Sequence, residues 1–326
     1  MKTDSVIALA HPNIAFIKYW GNRDEALRLP ANGSLSMNLG ALSTTTSVEF
    51  RSDLKQDDLI IDNVNAPPAA LQRVSSFLDI LRERAQKQHL KAIVISENNF
   101  PMGAGIASSA SAFAALAASA SRALGLELDE GELSRLARRG SGSACRSIPA
   151  GFVEWQMGRA DEDSYAHSIA PAEHWDLVDL IAIVNDTHKE VGSSAGHALA
   201  GSSPLQASRV ADCPRRMQLC RQAILKKDFS TFAEIVELDS HLMHAVMMTS
   251  SPALLYWEPA TIAILKKIRD ARLQGLQACC TVDAGPNVHV LCLAQDANQV
   301  ERLLQTIPDV ATIYRSPAGG GVQVLA

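Results

Sequence analysis

Asn99-Phe100-Pro101-Met102-Gly103-Ala104-Gly105-Ile106-Ala107-Ser108-Ser109-Ala110-Ser111 joins two unlike stretches of chain. Before it, Lys91–Glu97 (Lys-Ala-Ile-Val-Ile-Ser-Glu) is β-branched and predicts a strand. After it, residues 110–124 are small and apolar and predict a helix. The first unpaired N–H groups of a helix, with its partial positive charge, attract anions. Gly103 and Gly105 let the backbone come close to a phosphate, and Ser108 and Ser109 add hydroxyl donors. No Gly-Lys-Ser/Thr is present, so this is not a Walker A loop. Taken alone, the same residues also fit an ordinary Ser-capped turn before a closely packed Ala-rich helix.

Working outward, the first half of the chain mixes strands and helices. Strands are expected at 6–10, 44–50, 59–62, 152–155 and 177–184, and a helix at 69–88. After Ser203-Pro204 the period changes, and three helices are expected at 205–227, 229–247 and 258–274. Pro214 is expected to break or start one of them. Strands return at 280–283, 288–294, 310–314 and 322–325, with a helix at 297–307. Strands on both sides of a helical block predict an α+β fold. A soft division near residue 190 gives domains 1–190 and 191–326.

The chain has 326 residues, which at about 100–200 per domain suits two domains. Apolar residues make up 47%, and the mean hydropathy is +0.02, which excludes disorder as the main state. Thirty Lys+Arg against 35 Asp+Glu leave a formal net charge of −5, which argues against nucleic acid as the main partner. No apolar run reaches the length of a membrane span. The N-terminus has neither signal-peptide nor transit-peptide character, so a cytoplasmic protein is expected. The six cysteines form no Cys-x-x-Cys and are expected as buried free thiols. His241 and His244, three apart on a helix without a His-Glu-x-x-His frame, read as surface or core residues.

The 101–109 stretch resembles the phosphate loop Pro-x-x-x-Gly-Leu-x-Ser-Ser of the galactokinase, homoserine kinase, mevalonate kinase and phosphomevalonate kinase superfamily, with Ile106 in place of Leu. Four further motifs narrow the resemblance. They are Asn13-Ile-Ala-Phe-Ile-Lys18-Tyr19-Trp20-Gly21 with Leu29–Ser36; Gly140-Ser141-Gly142-Ser143-Ala144-Cys145-Arg146-Ser147 running into Gly151–Trp155; Lys189-Glu190-Val191 with Ser193; and Val282-Asp283-Ala284-Gly285-Pro286-Asn287. In this order they resemble the mevalonate (di)phosphate decarboxylase family. The resemblance implies a two-lobed fold, with an N-terminal ribosomal-protein-like domain, a C-terminal sandwich-type domain and a deep cleft between them. It also implies ATP with Mg2+, a phosphorylated mevalonate substrate and a homodimer.

The chemistry such enzymes carry out makes three demands. ATP phosphorylates a tertiary alcohol, and the new phosphate then leaves as the neighbouring carboxylate departs as CO2. Phosphates need a cradle, for which Gly103, Ala104, Gly105, Ala107, Ser108 and Ser109 are the candidates. The substrate carboxylate needs a planar cation, and Arg146 suits it. The alcohol needs a carboxylate to accept or orient its proton, and Asp283 suits that. The resemblance implies Lys18 and Asn13 as polar neighbours that hold Asp283 ionised and aimed. It carries no protein cage for Mg2+, which would arrive with ATP near Ser109.

Two departures bear on the substrate. Asn22 stands where the family has Lys after Tyr-Trp-Gly, and Ser194 stands where it has Arg. Each charge-assisted contact contributes about 1.5–3 kcal/mol, so losing two favours a less charged ligand. The expectation is therefore mevalonate 5-phosphate going to isopentenyl phosphate, with Tyr19, Ser141, Gly142, Ser143, Ser193 and His197 around one phosphoryl group. The alternatives are mevalonate 5-diphosphate as substrate, or a 3-kinase that stops before decarboxylation. A non-catalytic sensor and an RNA-binding protein on the same fold are more distant rivals.

Overall fold

The computed structural model describes residues 3–100, 108–185 and 192–325, without the side chains of Ser193 and Ser194. In chain order the elements begin with strands β1 (Val6–Ala10), β2 (Asn13–Ile17), β3 (Asn22–Asp24), β4 (Leu29–Pro30), β5 (Ser34–Asn38), β6 (Thr44–Arg51), β7 (Asp58–Ile61) and β8 (Val64–Asn65). Next come α1 (Pro68–Arg84), β9 (Lys91–Asn98), α2 (Ser108–Ala123), α3 (Glu130–Gly140), β10 (Phe152–Trp155), β11 (Ala166–Ala170) and β12 (Leu177–Ile183). The helices α4 (Ser193–Leu199), α5 (Gln206–Lys226), α6 (Phe229–Met248) and α7 (Pro259–Leu273) follow. Strands β13 (Ala278–Val282) and β14 (Val288–Leu293), α8 (Ala297–Gln305), β15 (Thr312–Pro317) and β16 (Gln323–Val324) close the chain.

Three sheets carry the structure. The first runs β16-β1-β6-β9-β7-β8, the second β11-β10-β5-β2 and the third β13-β14-β12-β15. β6 alternates buried and half-buried positions along its whole length, as Thr-Thr-Thr-Ser-Val-Glu-Phe-Arg requires of a strand with one face on the core. α2 is buried at 11 of its 16 positions, and its Ala and Ser residues let it lie close on that sheet. α3 starts at Asp129 with a capping box. Glu132 N–H donates to Asp129 Oδ1 at 2.7 Å, and Asp129 N–H donates to Glu132 Oε2 at 3.2 Å.

Several expectations need correction. Pro214 lies inside α5 and neither starts nor ends it. The sequence reading contained no β2, β3–β4 hairpin, β5, α3 or β11. β12 pairs with β14 and β15, so the expected division near 190 falls after the first strand of the third sheet. β16 returns to β1, with Ala8 opposite Val324.

One apolar core ties the second and third sheets to the helical layer. It gathers Phe16, Leu35 and Phe152 with Met217, Phe232 and Val236, and reaches Ile181 and Leu291. All six cysteines are buried and free. None of the described helices is long and apolar enough to cross a membrane.

Candidate active site

β2 ends at Ile17, and the next residue is held from three sides. Lys18 N–H donates to Asp239 Oδ1 at 2.7 Å. Its carbonyl accepts from Asn32 Nδ2 at 2.9 Å and from Arg209 Nη2 at 2.7 Å. Asp239 is fully buried on α6, and its other oxygen accepts from Arg216 Nε at 2.7 Å. Arg209 also donates to Asn32 Oδ1 at 3.2 Å. A buried cationic side chain thus sits on backbone that charged partners hold in register.

The Lys18 side chain, 2% exposed, places Nζ 2.5 Å from Asp283 Oδ1, whose side chain is 29% exposed. Asp283 follows β13, and α6 grips the end of that strand. Val282 N–H donates to Ser240 Oγ at 3.0 Å, and Val282 O accepts from His244 Nε2 at 3.2 Å. Gly285 N–H closes a tight turn onto Asp283 O at 2.7 Å. One helix therefore positions both members of the Lys18–Asp283 pair. Burial is the largest influence on the Asp283 carboxyl and pushes its pKa up. Lys18 foremost, then His289 and Arg146, outweigh it and hold the carboxyl below its ordinary value.

Arg146 lies on the 3-10 turn 142–147 and is 3% exposed. Its Nε and Nη2 donate to Asn13 Oδ1 at 3.2 and 3.0 Å, and Nη1 donates to Ser34 Oγ at 2.7 Å. Asn13 in turn donates to Ser143 O at 3.1 Å and to Ser147 Oγ at 2.8 Å. Asn13 therefore aims Arg146, where the sequence reading had it beside Asp283. A guanidinium has five N–H donors. Arg146 spends three in these bonds, which leaves two for a planar acceptor. Burial lowers its pKa, and Cys145, then Asp283, oppose that. Asp283 and Arg146 thus feel each other's charge.

Tyr19 follows Lys18 in the chain. Its ring stacks on His197 at 4.1 Å and meets Trp155 edge-on at 4.7 Å, while Trp20 covers His197 at 4.6 Å. A side chain on Gly142 would put Cβ 2.5 Å from the Tyr19 ring, and one on Gly196 would sit 2.6 Å from Trp20. The Tyr19 hydroxyl donates to Asn22 Oδ1, and Asn22 Nδ2 donates to Glu25 at 2.8 Å. Burial raises the Tyr19 pKa. His197 Nδ1 accepts from Gly21 N–H at 3.0 Å, so that nitrogen carries no proton. Burial and nearby arginines push His197 down to about 3.

Ser141 is buried and ends α3, its N–H bonded to Ala137 O. Gly142 and Ser143 follow beside Tyr19 and Asn13. Ser108 and Ser109 open α2, with the Ser111 hydroxyl donating to Ser108 O at 3.2 Å. Gly103, Ala104, Gly105 and Ala107 lie outside the described residues, as do Lys189–Val191 and the side chain of Ser193. Asp239, Arg209, Arg216, Asn32, Ser34, Ser147 and Ser240 were not singled out from the sequence. His244 is buried against Val282 O and Trp257, in line with the core reading.

Residues 10–166 match the description "Diphosphomevalonate decarboxylase-like N-terminal domain", and residues 179–317 match "Mevalonate 5-diphosphate decarboxylase C-terminal domain". A diphosphomevalonate decarboxylase of Candida albicans is 38% identical over 311 residues, covering 90% of this chain and 85% of that one. The chain belongs to the diphosphomevalonate decarboxylase family. It is thus an enzyme of the ATP-dependent decarboxylase class, and its α+β architecture is that of the family's solved structures. The mevalonate diphosphate decarboxylase from Staphylococcus aureus superposes with a TM-score of 0.94 at 36% identity, over 100% of this chain and 99% of that chain. A structure of MDDEF in complex with MVAPP, AMPPCP and magnesium gives the same TM-score and identity over the same shares.

Proposed function

We propose that this diphosphomevalonate decarboxylase family member converts mevalonate 5-diphosphate, with ATP, to isopentenyl diphosphate, ADP, phosphate and CO2. The comparisons favour this substrate over the 5-phosphate expected from the departures at Asn22 and Ser194. The observation that carries the reading is the ionised Asp283, braced by Lys18 at 2.5 Å, within electrostatic reach of the preset guanidinium of Arg146.

In this reading the tertiary hydroxyl lies at Asp283, which orients it and takes its proton as its oxygen attacks the terminal phosphorus of ATP. Lys18 keeps Asp283 anionic beforehand. Arg146 holds the substrate carboxylate through its two remaining donors. The bond between the tertiary carbon and its now phosphorylated oxygen then breaks, and phosphate leaves with that electron pair. The electron pair of the bond to the carboxyl carbon becomes the alkene, and CO2 leaves. Ser108 and Ser109, at the start of α2, suit the nucleotide phosphates. Among the described residues no group of three His, Cys, Asp or Glu is built to hold a metal. Magnesium would be carried by those phosphates near Ser109, neutralising their charge when bound.

A second reading, decarboxylation of mevalonate 5-phosphate, is favoured by Asn22, an uncharged side chain already bonded to Tyr19 and Glu25. The test is ADP release and CO2 capture with mevalonate, its 5-phosphate and its 5-diphosphate. The highest kcat/KM on the diphosphate, with one CO2 per ADP, is expected. A preference for the 5-phosphate would establish the second reading. ADP without CO2 would make this a kinase, and no ADP with any of the three would overturn both readings.

A further inference from the structure

Arg28 precedes β4 and has a backbone φ of +49°, a left-handed conformation that side chains other than Gly, Asn and Asp seldom adopt. Its Nε–H donates to Arg139 O at 3.1 Å. Arg73, on α1, donates from Nη2 to the next carbonyl, Gly140 O, at 2.9 Å. Both guanidinium groups therefore dock on the C-terminal carbonyls of α3, the negative end of its dipole. The chain goes straight from there into Ser141-Gly142-Ser143, with Gly142 pressed against the Tyr19 ring.

Arg28 exerts the largest charge effect on both Tyr19 and His197, and also acts on Arg73. Among the described residues no carboxylate is paired with Arg28, and its two terminal nitrogens make no hydrogen bond. The nearby Glu25 is bonded to Asn22 instead. Arg73 Nε is buried without a partner. A half-buried guanidinium with free terminal nitrogens, next to a second one on the same helix end and acting on Tyr19 and His197, has positive charge to offer an anion. A guanidinium fits a phosphoryl group with two parallel N–H bonds.

We propose that Arg28, with Arg73 behind it, is the cation that grips the terminal phosphoryl group of the substrate's 5-diphosphate. The proposal rests on the decarboxylase reading above and names the residue that sets its substrate preference. It accounts for a diphosphate pocket without a cation at 22. The positive charge comes from six residues further along the same hairpin.

Arg28→Asn tests it, because Asn accepts left-handed backbone and removes the cation without adding strain. The expected result is a KM for mevalonate 5-diphosphate raised at least about tenfold, with kcat within about threefold. The KM for ATP and the unfolding temperature should hold. The ratio of kcat/KM for diphosphate over monophosphate should fall at least about fivefold, and Arg28→Lys should recover most of the loss. An unchanged KM and ratio in Arg28→Asn, with the parent enzyme active, would overturn the proposal and leave the decarboxylase reading standing. If the parent releases CO2 from neither phosphorylated substrate, that reading fails. Calorimetric titration with inorganic pyrophosphate then decides. Binding weakened at least about tenfold in Arg28→Asn supports the site, and equal binding overturns it.

Discussion

Asp239→Asn is the most informative single change, because it touches no substrate and yet underlies the catalytic pair. Asp239 is fully buried, as is Arg216, whose Nε–H lies 2.7 Å from one carboxylate oxygen. The other oxygen receives Lys18 N–H at 2.7 Å, and Arg209 adds a cation at 3.6 Å. Asparagine keeps the size and one acceptor. Its NH2 group must then face either Lys18 N–H or Arg216 Nε–H, donor against donor. Arg209 also loses its carboxylate, and Arg216 keeps only Asp212, at 2.8 Å. Breaking a buried pair by removing one partner costs about 3–5 kcal/mol, a large part of a typical folding stability of about 5–15 kcal/mol. The protein should fold, with a clearly lower urea midpoint.

The consequence for catalysis follows from what Asp239 holds. With its N–H released, Lys18 drifts from Asp283, and a misplacement of about 1 Å costs on the order of 100-fold in rate. Arg146 hangs on Asn13 and Ser34 and should be spared, so the KM for the phosphorylated substrate should change little. Asp283 should also lose part of the charge that lowers its pKa, which moves the acid limb of kcat/KM to higher pH. The assay pairs urea unfolding with ADP-release kinetics across pH. A parent-like midpoint together with an unmoved acid limb would refute the argument that α6 sets the geometry of the pair.

Two further outcomes are expected. Arg146→Lys should lower kcat/KM by about 10²–10³ in steady-state ADP release while the KM for ATP holds, because one ammonium cannot serve Asn13, Ser34 and a substrate carboxylate together. His244 is buried and held down to about 4, mainly by burial, so the folded state stays unprotonated there while an unfolded histidine takes up a proton near pH 6.5. Its contribution to stability is therefore full above about pH 6.5 and falls by about 1.4 kcal/mol per unit as pH drops toward 4; unfolding free energies from pH 7 to 4.5 should show this slope, reduced in His244→Gln.

What could be read ahead of the structure were features written in short stretches. The alternation of Thr44–Arg51, the β-branched run before Asn99 and the small-residue helix after Ser109 all announce themselves within one element. So do the motif residues Lys18, Arg146 and Asp283, of which the fold pairs Lys18 with Asp283 and sets Arg146 within reach of that carboxylate's charge. Asn13–Ile17 escaped because it is buried at every position and shows no alternation to mark it as a strand. Asp129 and Glu132 did carry a readable capping box, which was passed over. The arginines and Asp239 that hold Lys18 could not be found this way. An Asp in mid-helix has the same local pattern whether it faces water or, as here, a backbone N–H 221 residues away. The substrate is harder to read for a related reason. Asn22 and Ser194 report charge at two motif positions, whereas a pocket senses charge through space. Arg28 lies off the motif, on a left-handed turn, and its charge still acts on Tyr19. A count of charges at motif positions therefore omits any cation that the fold brings in from outside the motif.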